Sequence, residues 1–134
     1  MKFLVDTCVW SLALRRKPTA ALSPDETRLI ALLADAIHDG QVVMVGPVRQ
    51  EILSGIAVPA RFDSLLKALA AFADEPLESS DYEEAARLSN QCRSRGIQSG
   101  AIDILLCAIA RRRSWTILTN DQGLQRCIVA TSTP

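Results

Sequence analysis

An α/β fold, a parallel sheet with helices on its faces, is what this sequence predicts, and three observations predict it. Short apolar runs recur from end to end, each followed by a segment of helical periodicity. The 134 residues suit one domain spanning 1–134, long enough to bury a sizeable core. Half of the chain, 49%, is hydrophobic while only 4% is aromatic, so that core must be built from Leu, Ile, Val and Ala.

The elements follow in order. "KFLV" reads as the first strand and gives way at Asp6 to a helix through Trp10 and Leu14. "LSPDETRLIALLADAIHDG" is a capped helix, with Ser23 as N-cap, Pro24 at N1, Glu26 closing a capping box and Gly40 as the stop. "QVVMV" is the second strand, and "GPVRQEILSG" a short helix with Pro47 at N1. In "PARFDSLLKALAAF" the residues Phe62, Leu65, Leu66, Leu69 and Phe72 keep helical spacing, which suits core and also a groove for a partner's helix. Ser80 with Glu83 forms a second capping box at the start of "SDYEEAARLSNQCRSRG", which ends at Gly96. Then come the apolar helix around Asp103, a strand "WTILT", the turn "NDQG", a helical turn and a last short strand around "CIVA".

Composition excludes several classes. Basic and acidic residues number 15 each, so no overall positive field marks a nucleic-acid partner, and such binding has to come from local patches. Two exist, Arg15–Arg16–Lys17 and Arg111–Arg112–Arg113, although solvated helix ends explain either one by itself. Cys8, Cys92, Cys107 and Cys127 form no CxxC pair and His38 has no neighbouring ligand in sequence, which argues against structural zinc. Reduced thiols used as small core residues fit a cytoplasmic protein. No run is long enough for a signal peptide or a membrane span. Neither GxGxxG nor GxxxxGK[ST] occurs, so dinucleotide and nucleoside triphosphate binding are not expected.

One charge stands out. In "SGAIDILLCAIARRR" every side chain from Ala101 to Ala110 is apolar except Asp103. A buried carboxylate without a partner costs several kcal/mol, so something must compensate it. Open parallel sheets bind ligands outside the carboxyl ends of their strands. Asp6 directly follows the first strand, Asp121 comes shortly after "WTILT", Glu51 lies early in the helix after the second strand, and Asp103 lies in the first turn of its own. Read singly, Asp6 suits a helix N-cap, Asp121 a turn, Glu51 a surface position and Asp103 a helix N-terminus. Together on one rim they repel one another unless a cation is present. Hard oxygen donors without Cys or His point to Mg²⁺ or Mn²⁺.

These stretches, "FLVDTCVW", "GPVRQEILSG", "GIQSGAIDILLCAIA" and "ILTND", resemble the PIN-domain ribonucleases, and most closely the VapC toxins of bacterial toxin–antitoxin modules. The resemblance covers nearly the whole chain and keeps motif order and spacing. It implies a three-layer α/β/α fold with a central parallel sheet of four to five strands. It further implies endonucleolytic cleavage of RNA by metal-activated water with Mg²⁺ or Mn²⁺, a VapB-type antitoxin that blocks the site, and a homodimer. The family's acidic quartet maps onto Asp6, Glu51, Asp103 and Asp121, and Thr119 matches the hydroxyl residue that helps orient the last acid. Where the family often continues with a second acid and phenylalanine, this chain has Gly123 and Leu124, a departure that speaks against a fifth acidic ligand. Arg49, Gln98 and Ser99 are candidate substrate contacts, with a solvated helix residue and a helix cap as the alternatives for Arg49 and Ser99. A phosphotransferase using Asp6 as nucleophile would want an acid two residues on, where Cys8 stands. The remaining alternative is a domain of the same fold that binds RNA or protein without cutting.

Overall fold

The structure, a computed structural model, describes residues 1–14 and 21–132. The Arg15–Arg16–Lys17 patch therefore lies outside the described residues. In chain order the elements are β1 (Phe3–Val5), α1 (Thr7–Leu14), α2 (Pro24–His38), β2 (Val42–Val43), α3 (Gly46–Leu53), α4 (Pro59–Leu69), α5 (Ser79–Ser94), α6 (Ala101–Arg113), β3 (Thr116–Leu118) and α7 (Gln122–Ser132). The α/β alternation expected from sequence is the architecture observed.

Among the described residues the sheet has three strands in the order β2-β1-β3, all parallel. Leu4 of β1 lies opposite Val43 on one side and Ile117 on the other. An isolated parallel bridge, Met44 to Asp74, extends the β2 side. β1 is thus the central strand, and it enters the core with Leu4 and Val5 fully buried. The helices fall into two sets by their contacts, α1 packing on α2 and α3 with α4 on α3, and α5, α6 and α7 packing together. Seven consecutive residues of α6, Ile104 to Ala110, are buried, as an apolar sequence on every face requires.

Local signals explain most boundaries. The Ser23 hydroxyl accepts from the Glu26 backbone N–H at 3.1 Å, and the Glu26 carboxylate accepts from the Ser23 N–H at 2.9 Å, the expected capping box. Gly40, at φ 65°, ends this segment in a conformation that favours glycine. Other expectations are corrected. The box opening α5 uses Glu78 and Asp81 rather than Ser80 and Glu83, because Asp81 is drawn inside by arginines. The strand expected around "CIVA" is part of α7: Leu124, Cys127 and Thr131 recur at helical spacing and are buried, and the Asp121 carboxylate caps the start by accepting from the Leu124 N–H at 3.2 Å. In the α4 stripe, Leu65 and Leu69 are core while Leu66 is exposed.

The Arg111–Arg112–Arg113 patch is a helix end with Arg111 and Arg112 exposed, and its guanidinium groups are also engaged. Arg112 and Arg113 both pair with Asp81, whose side chain is 0% exposed, and Arg113 also donates to the Pro76 carbonyl at 2.8 Å and lies over the Trp115 ring. Arg111 donates to the Thr131 carbonyl at 2.6 Å. The three cations join the C-terminus of α6 to α5 and α7. The four cysteines are free thiols, three of them buried.

Candidate active site

Strand order decides where chemistry can sit. Because β1 is central and β2 and β3 flank it, the carboxyl end of β1 opens onto a crevice between the connections that leave in opposite directions. Asp6 is the first residue past that end. Its backbone N–H donates to the Leu118 carbonyl at 3.0 Å, so the β1–β3 ladder itself holds the residue in place. The side chain is 5% exposed. One carboxylate oxygen, Oδ1, accepts from the Thr7 N–H at 2.8 Å, and the other, Oδ2, accepts from the Thr119 hydroxyl at 2.9 Å and the Cys8 thiol at 3.2 Å. Asp6 thus does cap α1, and it also faces the crevice.

A cleft of about 620 Å³ is lined by Asp6, Thr7, Cys8, Glu51, Asp103, Asn120, Asp121 and Gln122. The structure brings all four sequence-selected acids onto this one surface. Glu51 arrives from α3, its Oε1 accepting from the Thr7 hydroxyl at 2.7 Å. Asp121 arrives from the turn after β3, its N–H donating to the Thr119 hydroxyl at 3.0 Å. Thr119 therefore bridges the two ends of the acid row, donating to Asp6 and accepting from Asp121. Asp103 arrives from the first turn of α6, held there by the buried stretch that follows it.

Electrostatically the cleft is one-sided, since no lysine, arginine or histidine among the described residues lines it. Burial, and then the charges of Asp6, Asp121 and Glu51, push the Asp103 carboxyl up to about 6. The Cys8 thiol is pushed up by burial, which keeps its proton on and makes it a poor soft ligand at neutral pH. What remains is a set of hard oxygen donors in need of a counter-charge, a donor chemistry that fits Mg²⁺ or Mn²⁺. Among the described residues no three acidic, histidine or cysteine side chains are placed to hold one metal ion together. An open set whose shell is completed by water or phosphate oxygen is the arrangement a magnesium-like ion prefers.

Three weaker candidates are placed differently. Arg49 does not face the cleft with a free guanidinium: its Nε pairs with Asp74 at 2.9 Å, and its other nitrogens donate to the Leu69 and Phe72 carbonyls. It ties α3 to the end of α4, so neither a phosphate contact nor a solvated residue describes it. Ser99 is not the cap of α6, which is Gly100; its hydroxyl engages the Cys127 thiol. Gln98 lines a groove beside the cleft, together with Gln122. Sequence reasoning missed Thr7, whose signal was its place directly after Asp6, and Asn120 and Gln122, which flank Asp121.

An α/β domain whose central parallel strand ends beside four carboxylates, with no base among the described lining residues, gathers hard oxygen donors in one cleft. The PIN domain family matches residues 3–128, and the chain belongs to that family, whose members are generally nucleases. Among solved structures it is similar to the crystal structure of FitAcB from Neisseria gonorrhoeae, with a TM-score of 0.73 at 20% identity over 97% of this chain and 93% of that one. That likeness shows the fold. No curated protein matches the sequence.

Proposed function

We propose that this PIN domain is an Mg²⁺- or Mn²⁺-dependent endoribonuclease acting in the cytoplasm as a VapC-type toxin, a single domain over 1–134, homodimeric, and restrained by a VapB-type antitoxin. The carrying observation is the gathering of Asp6, Glu51, Asp103 and Asp121 in one cleft without a cation, at a cost visible in the raised Asp103 carboxyl. Asp6 and Asp103 would hold the ion, with Glu51 and Asp121 as further direct or water-mediated ligands. The bound cation supplies activation of a water and neutralisation of charge on the phosphate. The chain's own part is positional. Thr119 and the Thr7 N–H fix both oxygens of Asp6, and the Thr7 hydroxyl fixes Glu51. No histidine is required, and His38 is absent from the cleft lining.

The test is cleavage of total cellular RNA by purified protein with Mg²⁺ or Mn²⁺, against EDTA and Asp103→Asn controls, with mapping of new 5′ ends. Discrete cuts that vanish in both controls are expected. Absence of cutting by folded, antitoxin-free protein that binds the metal would overturn the reading in favour of a non-catalytic binding domain. The toxin role has its own check: expression of the wild type should arrest growth, and expression of Asp6→Asn should not.

A further inference from the structure

Four carboxylates that hold a metal also repel a polyanion, so an RNA strand entering the cleft needs a cationic grip nearby. Among the described residues the cleft lining supplies none. Several described arginines are already used elsewhere in the fold: Arg49, Arg111, Arg112 and Arg113 spend donors on Asp74, Asp81 and backbone carbonyls. Arg126 is different, carrying no hydrogen bond or ion pair among the described residues. It is exposed on α7, four residues beyond Gln122 and so about 6 Å further along the same helix face.

A groove of about 1140 Å³ runs there, lined by Gln98, Gln122, Gln125, Arg95 and Arg126 among others. Gln122 lines both this groove and the acid cleft, so the two adjoin at that residue. Arg95 stands on the α5 side with one guanidinium nitrogen anchored on the Ala130 carbonyl at 2.6 Å, leaving its other donors presented in a fixed orientation. No aspartate or glutamate lines the groove. Two cations and three glutamine amides lining the groove suit a phosphodiester backbone and make no demand on base identity.

We infer that Arg126, with Arg95 opposite, holds the backbone phosphate next to the scissile one, the groove being the track that leads single-stranded RNA into the acid cleft. This rests on the nuclease reading above. Arg126 and Arg95 act by positioning, not on the reacting atoms.

The experiment compares wild type, Arg126→Gln, Arg126→Lys and Arg95→Gln on a single-stranded RNA oligonucleotide spanning a mapped cut site. It measures kcat and KM with Mn²⁺, and Kd in EDTA across a salt series. For Arg126→Gln the expected result is a KM and Kd raised about 5-fold or more, kcat within about 2-fold, and a log Kd–log salt slope reduced by about 0.7, the share of one phosphate contact on a single strand. Arg126→Lys should restore the slope. A structural defect would lower kcat and thermal stability without changing the slope, and that outcome overturns the inference. So does an Arg126→Gln variant with wild-type KM and slope while the wild type cuts, which leaves the nuclease reading intact. A wild type that neither binds nor cuts RNA removes both.

Discussion

Thr119 carries one hydroxyl and serves two acids, donating to Asp6 Oδ2 and accepting from the Asp121 N–H. Val has nearly its shape and neither function. Thr119→Val leaves a carboxylate that is 5% exposed short of a donor and frees the turn that carries Asp121. The expected cost is about 1–2 kcal/mol in urea unfolding, together with a roughly 10- to 100-fold loss of cleavage, the usual range for a group that orients metal ligands. Thr119→Ser, which keeps the hydroxyl, should recover most of the rate; equal losses in Ser and Val would mean that packing of the methyl matters instead. Asp103 makes the complementary case, because the charges of Asp6, Asp121 and Glu51 already act against its ionised form. Removing its charge relieves that repulsion, so in EDTA Asp103→Asn should melt higher than the wild type, by roughly 4 °C if about 1 kcal/mol is regained at this chain length, while losing activity. A lower melting temperature in EDTA would show that the carboxylate has a structural partner there.

At the scale of elements, the junction of α5 and α6 is closed by Asp81. Burial by itself would raise the Asp81 carboxyl, but the Glu78 N–H and the guanidinium groups of Arg112 and Arg113 outweigh it and hold the group below the usual carboxylate range. A folded-state value below the unfolded one means stability that is fully present above the unfolded pKa, about 3.9, and lost as pH falls through the folded value. Wild-type unfolding free energy should therefore decline below about pH 4, and Asp81→Asn should flatten that decline while costing about 1.5–3 kcal/mol at pH 7, because two partly exposed arginines lose a charged hydrogen-bond partner. The same junction shows where sequence was silent. Alternation and capping chemistry made α2, α3 and α6 readable, and strand ends made the four acids readable as one rim, since a sheet places successive strand termini side by side. The Arg111–Arg112–Arg113 run and the Ser80 box were not readable. Which acid turns inward depends on cations 31 and 32 residues away in the chain, contacts that local pattern does not encode. "CIVA" failed for a related reason: four apolar residues fit strand or helix equally, and the deciding period spans Leu124 to Thr131.

The whole molecule carries 15 basic and 15 acidic residues, yet its charge is unevenly placed: among the described residues four acids and no base line the cleft, and arginines line the adjoining groove. An uneven distribution of this kind couples ligand binding to folding. The unfolded chain spreads Asp6, Glu51, Asp103 and Asp121 over more than a hundred residues and offers a divalent ion no site, whereas the folded chain collects them. A ligand that binds only the folded state stabilises it by RT ln(1 + [L]/Kd), about 2.7 kcal/mol at a hundred times Kd. At this size that corresponds to roughly 10 °C in melting temperature. Mn²⁺ and Mg²⁺ should therefore raise Tm with logarithmic dependence on concentration, and chelation should reverse the shift. The rise should shrink strongly in Asp6→Asn and Asp103→Asn, and should persist in Arg126→Gln, whose guanidinium lies in the groove and not in the cleft. Ionic strength matched with Na⁺ separates this linkage from general screening of the acid row, since screening acts through the Debye length and is indifferent to which monovalent salt supplies it. A shift reproduced by Na⁺ alone would mean that the cleft tolerates its charge by screening, and the metal reading of the four carboxylates would fall with it.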